Sequence, residues 1–478
     1  MTLPPGTRTS ASPAAPRPPR PTRYRARARR WWASFAAATL LTGLLATTAG
    51  PAAVAHESRT TSHDSAHRAT HRADHHRGIR VRRAFFGLHD GSGQAYGRLP
   101  FGSLRLWDAG VTWKDVETAP GVYDWTRLDS LVSAAQAHHV QVTLVLGMTP
   151  SFYAATPSTA PARLHDYARY VRAVMTRYRS FHGHRGVKAY QVWNEGNISY
   201  FWSGTPHELA LLTRIVDHVR NQVDPHATVV APSFAVRLRY QRQWMARYQH
   251  QRIGGHGIWR HYDVNALSLY PKASYHHRIG GPEDAIGLLT RARRQLTEAG
   301  VPGDKRIWAT EVNYGVNGGG LAVSSARPIS QRRQVANVLR TYLLGAAHGL
   351  SRVFWYRYDW GLVADGGTLG NTLMTVPGHY DELTAAGRAL RTARAWLRGR
   401  LVGTHDDGPC ARGRRGTYTC RVRFHGGVRT IYWNPHREVR VQVPRSAGRV
   451  MVTADGRTRA ATSTMRVGFR PVMVRTRR

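Results

Sequence analysis

Apolar positions along this chain switch between two spacings. Short, almost continuous apolar runs alternate with longer stretches in which apolar residues recur every three or four positions. The runs lie at 84–89, 103–108, 140–147, 187–195, 228–232, 264–270, 306–311 and 352–358. A run that is apolar at every position predicts a strand buried on both faces, as in a parallel sheet. The stretches between predict helices. Leu164, Tyr167, Val171, Val174 and Tyr178 share one helical face. Thr205-Pro206-His207-Glu208 reads as a capping box with proline at the first helical position. Another helix runs over 285–299 and stops at Gly300. Most runs are spaced by about 35–45 residues, one βα unit each. Eight units in succession predict a closed (β/α)8 (TIM) barrel over 81–398. An open doubly wound sheet would carry a Gly-rich phosphate loop after its first strand, and Gly87-Leu88-His89 is not one.

After 398 the pattern becomes alternating. Strand-like pieces at 418–424, 428–433 and 439–443 are separated by Gly, Asn and Pro, which predicts a small antiparallel β domain over 399–478. Its expected role is packing against the barrel. The only cysteines, Cys410 and Cys420, fall in this region, and Gly413 and Gly416 between them suit a hairpin turn. A disulfide across so short a loop contributes roughly 2–3 kcal/mol.

The N-terminal segment changes the picture of where the protein works. Arg27, Arg29 and Arg30 precede an apolar run from Trp31 to Ala49, and Ala53-Val54-Ala55 offers a small-x-small cleavage site. Residues 1–55 therefore read as a signal peptide, with a membrane anchor as the competing reading, and export to a disulfide-permitting compartment is the expectation. No transmembrane segment is expected to remain after cleavage. Residues 56–80 read as a disordered His/Arg-rich linker; His63, His67, His71 and His75 form a stripe with no apolar face to fold against.

The formal net charge is +41, almost all of it arginine: the lysines are Lys114, Lys188, Lys272 and Lys305. The charge is spread along the chain, with no compact basic run interleaved with stacking aromatics. It points to non-specific adhesion to anionic cell-surface polymers and away from specific nucleic-acid recognition. No metal-ligand constellation and no cofactor motif is legible in the folded part.

Candidate chemistry comes from the acids. There are nine glutamates, and most sit in caps, helix ends or linkers. Glu195 and Glu311 alone close apolar runs, the fourth and the seventh. Catalytic groups of this barrel sit at the C-terminal ends of its strands. Glycoside hydrolysis needs such a pair: one carboxyl protonates the leaving oxygen while the other meets the anomeric carbon. Charge repulsion between them keeps the acid protonated near neutral pH.

Trp193-Asn194-Glu195 on the fourth strand, with a glutamate ending the seventh, resembles the signature of the clan of (β/α)8 retaining glycosidases. Arg105-Leu106-Trp107-Asp108, Trp113-Lys114-Asp115-Val116-Glu117 and Pro120-Gly121-Val122-Tyr123-Asp124-Trp125 are similar to the second βα unit of glycoside hydrolase family 39 and its relatives. The resemblance covers roughly residues 84–478 and includes the trailing β domain. It implies that Glu195 is the acid/base and Glu311 the nucleophile. Asn194 would hold the sugar hydroxyl beside the anomeric carbon. Arg105 would sit near Glu311 and keep it ionised, and Tyr270 would hydrogen-bond it. His89, Trp107 and Trp355 would line the sugar cleft. Trp202, with Tyr200 and Phe201 on the loop after Glu195, reads either as a stacking platform for sugar rings or as plain loop core. Glu117 and Trp113 read as structural. The loop 315–325 reads either as a lid or as a flexible insertion. The expected partner is a carbohydrate with β-linkages. The alternative is a non-catalytic carbohydrate- or cell-surface-binding protein on a hydrolase scaffold.

Overall fold

The computed structural model describes residues 78–89, 96, 99–271, 280–316, 329–357, 373–376, 379–403, 408–444 and 450–475. The segment read from sequence as a signal peptide, nearly all of the stretch read as a linker and the glycine run at 318–320 lie outside the described residues.

All eight predicted strands form. They are β1 (Phe86–His89), β2 (Ser103–Leu106), β3 (Gln141–Val145), β4 (Val187–Gln191), β5 (Thr228–Ala235), β6 (Val264–Ser268), β7 (Arg306–Val312) and β8 (Leu350–Trp355). Each pairs in parallel with its sequence neighbours, and β8 pairs with β1, so the sheet closes on itself. Ala189, Val230, Val264, Ala266, Trp308 and Phe354 fill the interior. Space there is tight. A Cβ on Gly87 of β1 would come within 2.5 Å of the Phe354 ring, so only glycine fits. Toward the base, the Arg352 guanidinium lies 4.2 Å over Trp308. The barrel is thus a packed core, and any site has to be built at its rim.

Seven of the described helices surround it, apart from the single turn Trp113–Val116: α1 (Thr126–Ala137), α2 (Leu164–Tyr178), α3 (Pro206–Val223), α4 (Arg239–Gln249), α5 (Pro282–Glu298), α6 (Gln331–Ala347) and α7 (Ala385–Trp396). They follow β2 to β8 in turn. The capping box at α3 is formed: Glu208 N–H donates to Thr205 Oγ1 (3.1 Å), and Thr205 N–H donates to Glu208 Oε2 (2.7 Å). On α2 the buried face carries Tyr167, Tyr170, Val171, Val174, Met175 and Tyr178, the stripe the spacing predicts.

The trailing region is an antiparallel sheet of β9 (Arg400–Val402), β10 (Ala411–Arg412), β11 (Tyr418–Phe424), β12 (Gly427–Trp433), β14 (Val450–Val452), β15 (Thr458–Ala460) and β17 (Val472–Arg475). A separate pair is formed by β13 (Val439–Gln442) and β16 (Thr464–Val467). Its strands share one hydrophobic cluster with the barrel–helix layer through Leu401, Val422, Ile431 and Trp433. Trp433 Nε1 donates to Glu283 Oε1 of α5 (2.9 Å). A disulfide joins Cys410 and Cys420 across the β10–β11 turn, in which Gly416 takes φ +79°. One boundary differs from expectation. Residues 79–80, assigned from sequence to the linker, form a strand whose partners are Leu401 and Arg400 of β9. The alternating Ile79-Arg80 is too short to register as a strand until its partner is known.

Candidate active site

The site forms where β2, β4, β6 and β7 end. Arg105 projects from β2 into the barrel mouth, fully buried, and its planar fork reaches three acceptors. Nη1 donates to Glu311 Oε1 (2.8 Å), Nη2 to Asn194 Oδ1 (2.7 Å) and Nε to Gln191 Oε1 (2.7 Å). Tyr270 Oη donates to Glu311 Oε2 (3.0 Å). Both carboxylate oxygens of Glu311 are therefore held, in one orientation, by groups that favour its anion.

Glu195 arrives differently. β4 ends at Gln191, and the next residues leave the ladder. Glu195 has φ +37°, an uncommon conformation for a residue with a side chain, fixed by its N–H donating to Ser233 Oγ (2.8 Å) at the end of β5. Burial, and next the charge of Glu311, push the Glu195 carboxyl up to about 8. Burial also raises Glu311, but Arg105 and Tyr270 oppose it. Glu311 is thus the first of the two to ionise, and its charge holds the proton on Glu195.

His89, at the end of β1, is completely buried. Its Nε2 lies 2.8 Å from Thr310 O, which assigns the proton to that nitrogen. Burial and then Arg105 lower its pKa to about 3, so the ring is neutral. Tyr356 packs edge-on against it, with centroids 4.8 Å apart. Tyr356 Oη also donates to Asp108 Oδ2, and Arg357 Nη1 donates to the same oxygen (3.0 Å). Burial raises the Asp108 carboxyl most strongly of any one cause, but Arg357, the Tyr356 hydroxyl and the other groups beside it together hold it below the ordinary range. Gln191, Asp108, Ser233, Tyr356 and Arg357 were not singled out as site residues from sequence. The signal for Asp108 was there: it directly follows the buried Arg105-Leu106-Trp107.

Of the expected site residues, Glu195, Glu311, Asn194, Arg105, Tyr270 and His89 come together. Trp107 lies nearby, edge-on to Phe201 at 5.8 Å. Two placements are corrected. Trp355 is fully buried on the outer side of β8, tilted against Tyr314 at 6.0 Å, and lines no cleft. Side chains alternate along β8, so Phe354 points into the barrel and Trp355 away from it. Trp202 is loop core. Its ring meets Trp193 edge-on (4.9 Å), and its Nε1 donates to Thr205 O (3.2 Å). The exposed aromatic of that loop is Tyr200, at 77%. Glu117 is structural as read: buried, it accepts from Tyr153 Oη (2.8 Å) and Gly121 N (2.8 Å). Among the described residues no group of three or more His, Cys, Asp or Glu is placed to hold a metal ion. No helix among them is long and apolar enough to cross a membrane.

No protein-family model matches the chain, and no curated protein matches it. Solved structures do share its fold. A family 39 glycoside hydrolase from the gut symbiont Bacteroides cellulosilyticus WH2 superposes with a TM-score of 0.58 at 14% identity, covering 83% of this chain and 82% of that one. A glucosidase from Croceicoccus marinus gives 0.58 at 13%, covering 83% and 96%. A GH30 endoxylanase from Clostridium papyrosolvens C71 gives 0.51 at 14%, covering 83% and 97%. At such identities the likeness is one of fold.

Proposed function

We propose that this protein is an exported retaining glycoside hydrolase acting on β-linked polysaccharide or oligosaccharide, with Glu311 as nucleophile and Glu195 as acid/base. The observation that carries this reading is the unequal treatment of two buried carboxyls in one cluster. Glu311 is gripped at both oxygens by Arg105 and Tyr270, while Glu195 keeps its proton up to about pH 8. The shared fold with solved glycoside hydrolases supports it.

In the first step a Glu311 oxygen attacks the anomeric carbon as the glycosidic C–O bond breaks, and Glu195 passes its proton to the leaving oxygen. The product is a glycosyl ester on Glu311. Its carboxylate charge is now gone, so the repulsion that raised Glu195 disappears, and Glu195 is left as an anion of lower basicity. In the second step Glu195 takes a proton from water as that water attacks the anomeric carbon. The ester C–O bond breaks and both acids return to their starting states. Arg105 engages Asn194 Oδ1, which leaves the Nδ2 hydrogens as donors for the sugar hydroxyl next to the reacting carbon.

The test is a polysaccharide panel read by release of reducing ends, with product configuration followed by NMR. Glu311→Ala is expected to lose turnover by at least about 10³-fold and to regain part of it with azide, giving a glycosyl azide of inverted configuration. Glu195→Gln is expected to lose activity most on substrates with poor leaving groups. Unchanged turnover in both variants would overturn the assignment. Export is tested separately, by N-terminal sequencing of protein recovered outside the cells, which is expected to begin at His56.

A further inference from the structure

A second concave surface lies at the other end of the barrel. α7 runs back toward the N-terminal ends of the strands, so its final turn, the segment before β1 and the start of β9 meet at the base. Arg83 marks that level, donating to Phe101 O and His138 O (both 2.9 Å) just ahead of β2 and β3. Here a groove of about 1340 Å³ is lined by eight arginines and one acid, Asp455. Six of the arginines, Arg80, Arg388, Arg391, Arg398, Arg400 and Arg423, are exposed. Asp455 is already shared between Arg457 and Arg470, each at 3.7 Å. Among the described residues, Arg80, Arg391, Arg398 and Arg423 have no carboxylate partner. The crowding also registers next door, where burial and then Arg83 and Arg398 lower the Arg394 pKa.

Like charges converging in a concavity raise the local potential and concentrate an anion there. Guanidinium groups suit carboxylate and sulfate oxygens, which they bind as a fork. The groove offers no open face of Trp, Tyr or Phe for a nucleobase. Trp396 is buried, and the Arg429 guanidinium covers Phe424 at 4.1 Å while donating to Arg398 O (2.8 Å).

We infer that this groove is a binding site for an anionic polysaccharide, on the opposite rim from Glu195 and Glu311. It holds the protein on an acidic polymer while the barrel mouth stays open. The site stands on its own geometry, independently of the hydrolase reading.

The test measures binding of fluorescent polygalacturonate, dextran sulfate, neutral dextran and oligo-dT to the full chain at fixed ionic strength. It compares the wild type with Arg391→Gln/Arg398→Gln/Arg423→Gln and a control of equal charge, Arg239→Gln/Arg247→Gln/Arg291→Gln. All six side chains are exposed. The groove variant is expected to bind the anionic polysaccharides at least about tenfold more weakly and the control about twofold or less, with neutral dextran unbound. The separate response to polygalacturonate and dextran sulfate tells carboxylate from sulfate recognition. Equal losses in both variants would reduce the effect to diffuse charge and overturn the site, as would tighter binding of oligo-dT than of either polysaccharide. An unaltered near-UV spectrum guards against misfolding, with Arg398→Glu alone as a second, milder probe. Glycosidase activity on neutral substrates is expected to be unchanged, so the outcome leaves the barrel-mouth reading untouched.

Discussion

Arg105 donates to Glu311, Asn194 and Gln191 from one buried guanidinium. Removing it takes the Arg105 donor from Glu311 Oε1 and Gln191 Oε1, leaves Asn194 Oδ1 with the long bond from Ser233 Oγ (3.4 Å), and takes away the main group that lowers the Glu311 pKa. Arg105→Ala is expected to reduce kcat about 10²–10³-fold, the scale of losing a preorganised charge at a reacting centre. Because the Glu311 pKa then rises, the acidic limb of the pH–rate profile moves to higher pH, a shift that lost packing alone would not give. Glu195 makes the opposite kind of prediction. Its folded pKa is raised to about 8 from an ordinary value of 4.5. The protonated group's contribution is therefore complete below pH 4.5 and is lost as pH rises through 8. Glu195→Gln is expected to melt about 1–3 °C above wild type at pH 8, with the difference vanishing near pH 4. Equal melting temperatures across that range would contradict the raised pKa.

At the scale of elements, much was legible because parallel strands buried on both faces leave apolar runs that turns cannot imitate. Glu195 and Glu311 stood out because a carboxylate that closes such a run has to be held at the rim. What stayed hidden was direction. The run 187–195 continues beyond the ladder, and nothing in its composition says that β4 stops at Gln191 and that Glu195 swings onto Ser233. On β8, successive aromatics have opposite destinations; sequence required that some face outward but did not say that Trp355 was one and that Tyr356 turned back to His89 and Asp108. The loop after β4 posed the same problem and yields a paired prediction. Trp202→Ala is expected to destabilise the fold by about 3–5 kcal/mol, as for a buried tryptophan. Tyr200→Ala, at an exposed ring, is expected to leave the denaturation midpoint unchanged and, if that ring stacks on sugar, to raise KM. Chemical denaturation beside initial-rate kinetics separates the two.

At the scale of the whole molecule, the trailing sheet is part of one continuous core with the barrel. Its disulfide closes a ten-residue separation, so Cys410→Ser/Cys420→Ser is expected to lower stability by roughly 2–3 kcal/mol, read as a lower denaturation midpoint. Because the bridge belongs to the trailing sheet and packs on the Leu343 carbonyl of α6, kcat at low temperature is expected to be unaffected. The pairing of Ile79–Arg80 with Arg400–Leu401 has a different kind of consequence. It makes the smallest exchangeable piece of this protein discontinuous: two residues upstream of the barrel belong with the eighty or so downstream. Recombination with a related gene at a single crossover near residue 398 would graft a foreign sheet onto an edge it never learned to match. Homologues that trade this region successfully have to inherit both stretches together.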